Sequence, residues 1–151
     1  MAEQDRAHNN TAADQLAEPL EQIQQQLTAG SARVAQLRAQ WQATLREAKL
    51  ARAATSDTSW DLADVEQRLR ELADQREGPD DLLMEREIAR LAGQRVQLEE
   101  RVLAQLLLVD ELNARVQIEE QALASAEADW ALREKVLITE RDQLEEGHRT
   151  S

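Results

Sequence analysis

The side chains best suited to chemistry in this sequence are carboxylates and two histidines. Glu85, Glu87, Glu99, Glu100, Asp110, Glu111, Glu119 and Glu120 include adjacent pairs, and paired carboxylates exchange protons with a substrate when a cleft holds them. His8 and His148 could ligate a metal or move a proton. Both uses need converging groups on a rigid frame. The two His stand near opposite ends of the chain, without companion ligands. The carboxylates fall largely beside an apolar seam, where no cleft is expected. The expectation is exposed histidines and a solvated acidic face with scattered i,i+4 partners. There is no Cys, hence no disulfide, no thiol catalysis and no Cys-ligated zinc. No glycine-rich phosphate loop, nucleophile elbow or metal-ligand spacing is present. No enzyme activity, cofactor or metal site is expected.

The elements that carry these residues follow from two apolar runs. The first passes from Leu16 through Leu20, Ile23, Leu27 and Gly30 to Leu72 and Arg76. The second passes from Met84 through Ile88 and Leu91 to Glu140 and Leu144. Steps of four and three alternate throughout, and each run has 18 positions, 13 of them apolar. The mean step of 3.5 is that of a coiled-coil seam. Between the runs stands Gly78-Pro79-Asp80-Asp81: glycine suits a helix end, proline cannot continue one, and aspartate suits the start of the next. The expected fold is all-α, a long antiparallel two-helix coiled-coil hairpin. Helix 1 spans about 16–77, the turn 78–80 and helix 2 about 81–146. Polar tails at 1–15 and 147–151 are expected to be disordered.

Finer expectations follow. Proline is comfortable in a first turn and disruptive in an interior, so the main helix should begin close to Pro19. Gly30 should be a soft point or slight bend, Thr55–Ser59 a continuous but weakened helix, and Gly93 a mild defect. With the turn centred between Gly78 and Pro79, residue i lies near 157−i. Leu69 then faces Ile88, Leu45 faces Leu112, Trp41 faces Val116, Val34 faces Leu123 and Leu27 faces Trp130. Glu119 comes near Arg38. Arg95, Glu119, Arg133 and Glu140 interrupt the seam and would set register at some cost in stability. Trp41 and Trp130 have seam spacing; Trp60 does not, and is expected to be exposed or part of a contact.

Composition agrees with helices. The only aromatics are three Trp, and Ala, Leu, Glu, Gln and Arg dominate. The net charge of −12 disfavours nucleic acid and anionic membrane, which need clustered Lys and Arg. No apolar run approaches the ~18 residues that would span a bilayer, and the polar start lacks a signal-peptide core. A cytoplasmic location is the default expectation.

One segment does not fit a two-helix seam. Val102, Leu103, Leu106, Leu107, Leu108 and Val109 make an apolar surface too wide for one partner helix. The facing stretch, about Ala48 to Ser56, is mostly Ala, Arg, Thr and Ser and is too small to cover it. Either the helices adapt locally, by a kink or by leucines lying along the neighbouring helix, or the leucines form a contact patch for a second hairpin or another protein.

The same helix carries a family resemblance. Glu87-Ile88, Leu91, Leu98-Glu99, Val102-Leu103, Leu106, Val109 and Glu111-Leu112, within Glu85 to Leu112, resemble the second helix of bacterial zinc-ribbon domain proteins. Those proteins have an N-terminal coiled-coil hairpin and a C-terminal four-cysteine ribbon. Pro79 lies close to the place of that family's turn proline. The ribbon and its cysteines are missing from this chain, so zinc binding and any ribbon contact with nucleic acid do not carry over. The resemblance implies a hairpin used for protein contact. The leading expectation is a non-enzymatic coiled-coil adaptor or scaffold for a protein partner, with self-association as one route. The alternative is a chaperone or export-stalk hairpin of a flagellar, secretion or transcription system.

Overall fold

The computed structural model describes residues 2–75 and 81–150, with side chains over 15–75 and 81–149. They form two helices, α1 (Ala2–Asp74) and α2 (Leu82–Thr150). The fold is an all-α helical hairpin in which the two helices pack against each other. The expected turn at 78–80 lies outside the described residues. Beside it, Gln75 N–H still donates to the Glu71 carbonyl at 3.0 Å. The Asp81 carboxylate accepts the Met84 N–H at 3.2 Å and caps the positive start of α2.

Both helices are longer than expected. α1 begins at Ala2 and runs through Pro19, so residues 2–15 are helical where a disordered tail was expected, and Pro19 lies in the interior. Ala, Glu, Gln and Arg in this stretch have strong intrinsic helix preference. Pro19 nevertheless removes the N–H that would meet the Gln15 carbonyl, at a cost of ~3 kcal/mol. α2 continues past 146 through the expected tail to Thr150, with His148 and Arg149 in its last turn, where cations favour the negative helix end.

The described chain forms two compact units. Met1–Trp41 with Ile118–Ser151 form the terminal unit, and Gln42–Gln117 the central unit. In the terminal unit Ile23, Leu123 and Leu137 are buried. In the central unit Val65, Leu72 and Leu91 form a core cluster against which Leu69, Ile88 and Leu98 pack. Every described position of the first run is buried or half-buried. The second run departs from this only at Arg95, Arg133 and Glu140, which are exposed.

The register differs from the expected one. In the terminal unit the six-membered ring of Trp130 lies directly over Gly30, not over Leu27. Arg38 pairs with Glu127 instead of Glu119. In the central unit Leu69 and Ile88 do share one cluster, together with Leu72 and Leu91. Gly30 with Trp130, Leu69 with Leu91 and Leu72 with Ile88 fit residue i standing opposite 160−i, and Arg38 reaches Glu127 five positions beyond that pairing. That relation alone sets all 18 positions of the first run against positions of the second: Ile23 with Leu137, Ala48 with Leu112, Leu72 with Ile88. α2 starts at Leu82, with Asp81 as its cap.

Two suspected weak points are not breaks. At Gly30 the helix is continuous and the backbone has no positive φ; the missing side chain makes room for an indole. Through Thr55–Ser59 the helix is also continuous. Thr55 and Thr58 are buried, and their hydroxyls donate to the Ala51 and Ala54 carbonyls at 2.7 and 3.0 Å. Ser59 does the same to the Thr55 carbonyl at 2.9 Å. Hydroxyls satisfied by their own helix can enter a seam without a partner across it.

Candidate protein-contact surface

The six patch residues part into three directions. Successive residues on a helix turn by about 100°, so Val102 and Val109, being on the seam, face α1 and are half-buried. Leu103 and Leu107 point away from α1, 63% and 71% exposed. Leu106 and Leu108 flank the seam on opposite sides, and both are exposed. The outward leucines therefore do not lie along the neighbouring helix.

On the Leu108 flank the surface extends onto α1. Leu50, exposed, joins Ala51, Ala54, Leu108 and Leu112 in an open groove edged by Glu47, Glu111 and Arg115. Leu50 was missed from sequence because it is off the 3-4 phase and stands alone. Its signal was a large apolar residue two positions after seam residue Ala48. Val96, also exposed, lies one heptad before Leu103 and continues the outward strip.

The remaining sites of interest are dispersed. His148 is exposed at the end of α2, and the side chain of His8 lies outside the described residues. Among the described residues no three His, Cys, Asp or Glu side chains are grouped to hold a metal ion. Glu99, Glu100, Asp110, Glu111 and Glu120 are exposed; Glu85, Glu87 and Glu119 are half-buried. Glu87 accepts two hydrogen bonds from Arg90, at 2.6 and 3.1 Å. These bonds, chiefly, hold its carboxyl below the usual glutamate range. Arg95 reaches Glu99 at 3.8 Å, and Arg133 donates to Gln26 at 3.0 Å, so two of the polar seam residues turn outward to a partner. Glu119 stays inward. Its Oε2 and the Trp41 Nε1 opposite it at 160−i are both buried without a hydrogen-bond partner, as is Gln105 Oε1. Trp41 and Trp130 are half-buried on the seam, and Trp60 is 70% exposed.

No described helix is long and apolar enough to cross a membrane. No protein-family model, curated protein or solved structure matches the chain. What the described surface offers chemically is apolar area beside carboxylates, which suits association.

Proposed function

We propose that the chain is a non-enzymatic coiled-coil adaptor that binds a protein partner through the outward face of α2, in a cytoplasmic setting. The observation that carries this reading is the exposure of Leu103 and Leu107, four residues apart on one helix face. Burying a leucine side chain contributes roughly 1.5–3 kcal/mol, and contiguous exposed apolar surface marks interaction sites. The resemblance of Glu85–Leu112 to the hairpin of zinc-ribbon domain proteins supports the same reading. Capture of partners from the source cell by the wild type, beside Leu103→Glu/Leu107→Glu, tests it. The expected result is a protein retained by the wild type and lost by a variant of equal helicity. Equal retention by both overturns the assignment to this face.

A second reading has its own observation. Leu82 and Leu83, in the first turn of α2, are 67% and 78% exposed, as a hairpin that grips non-native chains would require. On that reading the protein suppresses aggregation of an unfolded client, and Leu82→Ser/Leu83→Ser abolishes the effect. No suppression by the wild type removes the chaperone reading and leaves the adaptor.

A further inference from the structure

Within the central unit, α2 carries a second apolar heptad strip, half a turn away from the one that faces α1. Gly93, Val96, Leu103, Leu107 and Ala114 follow each other at steps of three, seven, four and seven, and all are exposed. Those steps keep residues on one stripe of a helix that pairs with another helix. The stripe thus has the period of a coiled-coil seam and nothing described against it.

Gly93 shows what kind of side chain the stripe would take. An added Cβ there meets nothing within 4 Å, and the backbone has no positive φ. Neither packing within this chain nor backbone conformation calls for glycine, which weakens a helix interior relative to alanine. On the seam, by contrast, the protein uses Gly30 as a socket for the Trp130 ring. Over Gly93 the corresponding space is open.

Charge selects the occupant. Glu100 and Asp110 interrupt the stripe, Glu99 borders it, and Glu111 stands beside it toward the Leu50 groove; all four are exposed. Among the described residues Glu99 alone of the four has an ion-pair partner, Arg95. Among the nearby cations Arg101 adjoins seam residue Val102 and Arg115 edges the Leu50 groove, while Arg86, exposed, stands one heptad before Gly93 at the end of the stripe. A second copy paired leucine on leucine fits poorly. Antiparallel pairing that sets Leu103 on Leu107 also sets Glu100 on Asp110, twice by symmetry. Parallel pairing sets Glu100 on Glu100. Like charges across a helix pair are destabilising, whereas Lys or Arg in those places would pair with the carboxylates.

We propose that this face docks one amphipathic helix of another protein, with Lys or Arg flanking its apolar strip and a large side chain seated over Gly93. The proposal rests on the adaptor reading and names that partner's chemistry.

The test is selection by surface display. Helices of roughly 25 residues, long enough to be stable on docking, carry apolar residues at the two seam positions of each heptad and an even choice of Lys or Glu at the flanks. They are sorted against the full-length protein at physiological salt. The expected survivors favour Lys over Glu at the flanks. They lose at least ~10-fold in affinity on Leu103→Ser/Leu107→Ser, the size expected when a buried leucine is lost from an interface. Gly93→Leu weakens survivors with a large residue at the facing position, while the variant's own thermal unfolding temperature does not fall. Survivors with acidic or unbiased flanks, survivors indifferent to Leu103 and Leu107, or no survivors at all each overturn the proposal. A wild type that sediments as a dimer, and a Leu103→Glu/Leu107→Glu variant that sediments as a monomer, would preserve the adaptor reading with a second copy as partner and overturn the basic helix. Capture that is identical for wild type and variant, with no survivors, overturns both.

Discussion

Gly30 and Gly93 both stand in the interior of a long helix without positive φ, but Gly30 is half-buried on the seam and Gly93 is exposed on the outward face. Around Gly30 the space a side chain would fill is taken by the ring of Trp130; around Gly93 it is empty. Propensity alone treats the two as equal defects of about 1 kcal/mol each against alanine. The difference teaches that glycine in a coiled-coil helix is read from what stands over it. Over Gly30 the cost is offset inside the molecule. Over Gly93 it is not.

The comparison can be broken by substitution, and the largest effect is expected at its filled side. Trp130→Ala should lower unfolding stability by about 2–4 kcal/mol, somewhat below the full aromatic truncation value because the ring is half-buried. Urea unfolding followed by helicity measures it. Gly30→Ala should cost about 1–3 kcal/mol, since the new methyl overlaps the indole and displaces it. In the Trp130→Ala background the same change should reverse sign and stabilise by ~1 kcal/mol, helix propensity then being all that is left. A cost that persists without the indole would show that the socket is not the reason for Gly30. Gly93→Ala should raise stability by about 0.5–1 kcal/mol, because nothing in the chain opposes the added methyl. The smallest effect is expected at Leu103→Ser/Leu107→Ser. Both side chains are already in water, so the change should stay within about 0.5 kcal/mol. A large loss of stability there would mean that the outward leucines serve the fold and not a partner.

Much of the fold is legible in the sequence, for a physical reason. The 3-4 alternation persists over both runs, and a side chain's direction on a helix depends only on its place in that phase. Ile23, Ala48, Leu112 and Leu137 are inside because of it. Register is less legible. It depends on where each helix stops, and the 157−i pairing missed by three residues because Gly78-Pro79 marks a reversal without fixing its centre. The extent of α1 before Leu16 was hidden too, since residues 2–15 show no apolar period. For the contact surface, the leucine excess at 102–109 is plain in the sequence, but its division into inward, flanking and outward residues needs the seam's direction. Leu50 was invisible as a neighbour of Leu108 until the two helices were brought together. The hydroxyls of Thr55 and Thr58 point the same way. As seam positions they look like defects, and only their bonds to Ala51 and Ala54 make them tolerable.

The ring over Gly30 also bears on how the chain finds its alignment. Seams built on one heptad repeat slide against each other by seven residues with nearly all positions still matched, and the Ala and Thr positions between Thr44 and Thr58 would resist such a slip weakly. Trp130 would not tolerate it. A slip of one heptad in either direction brings the indole against Ile23 or Leu37, where there is no hole to receive it and overpacking costs about 1–3 kcal/mol. A hairpin paired in the wrong frame therefore carries a cost at this pair that the native frame lacks. One tryptophan and one missing methyl act as the chain's check on its own reading frame.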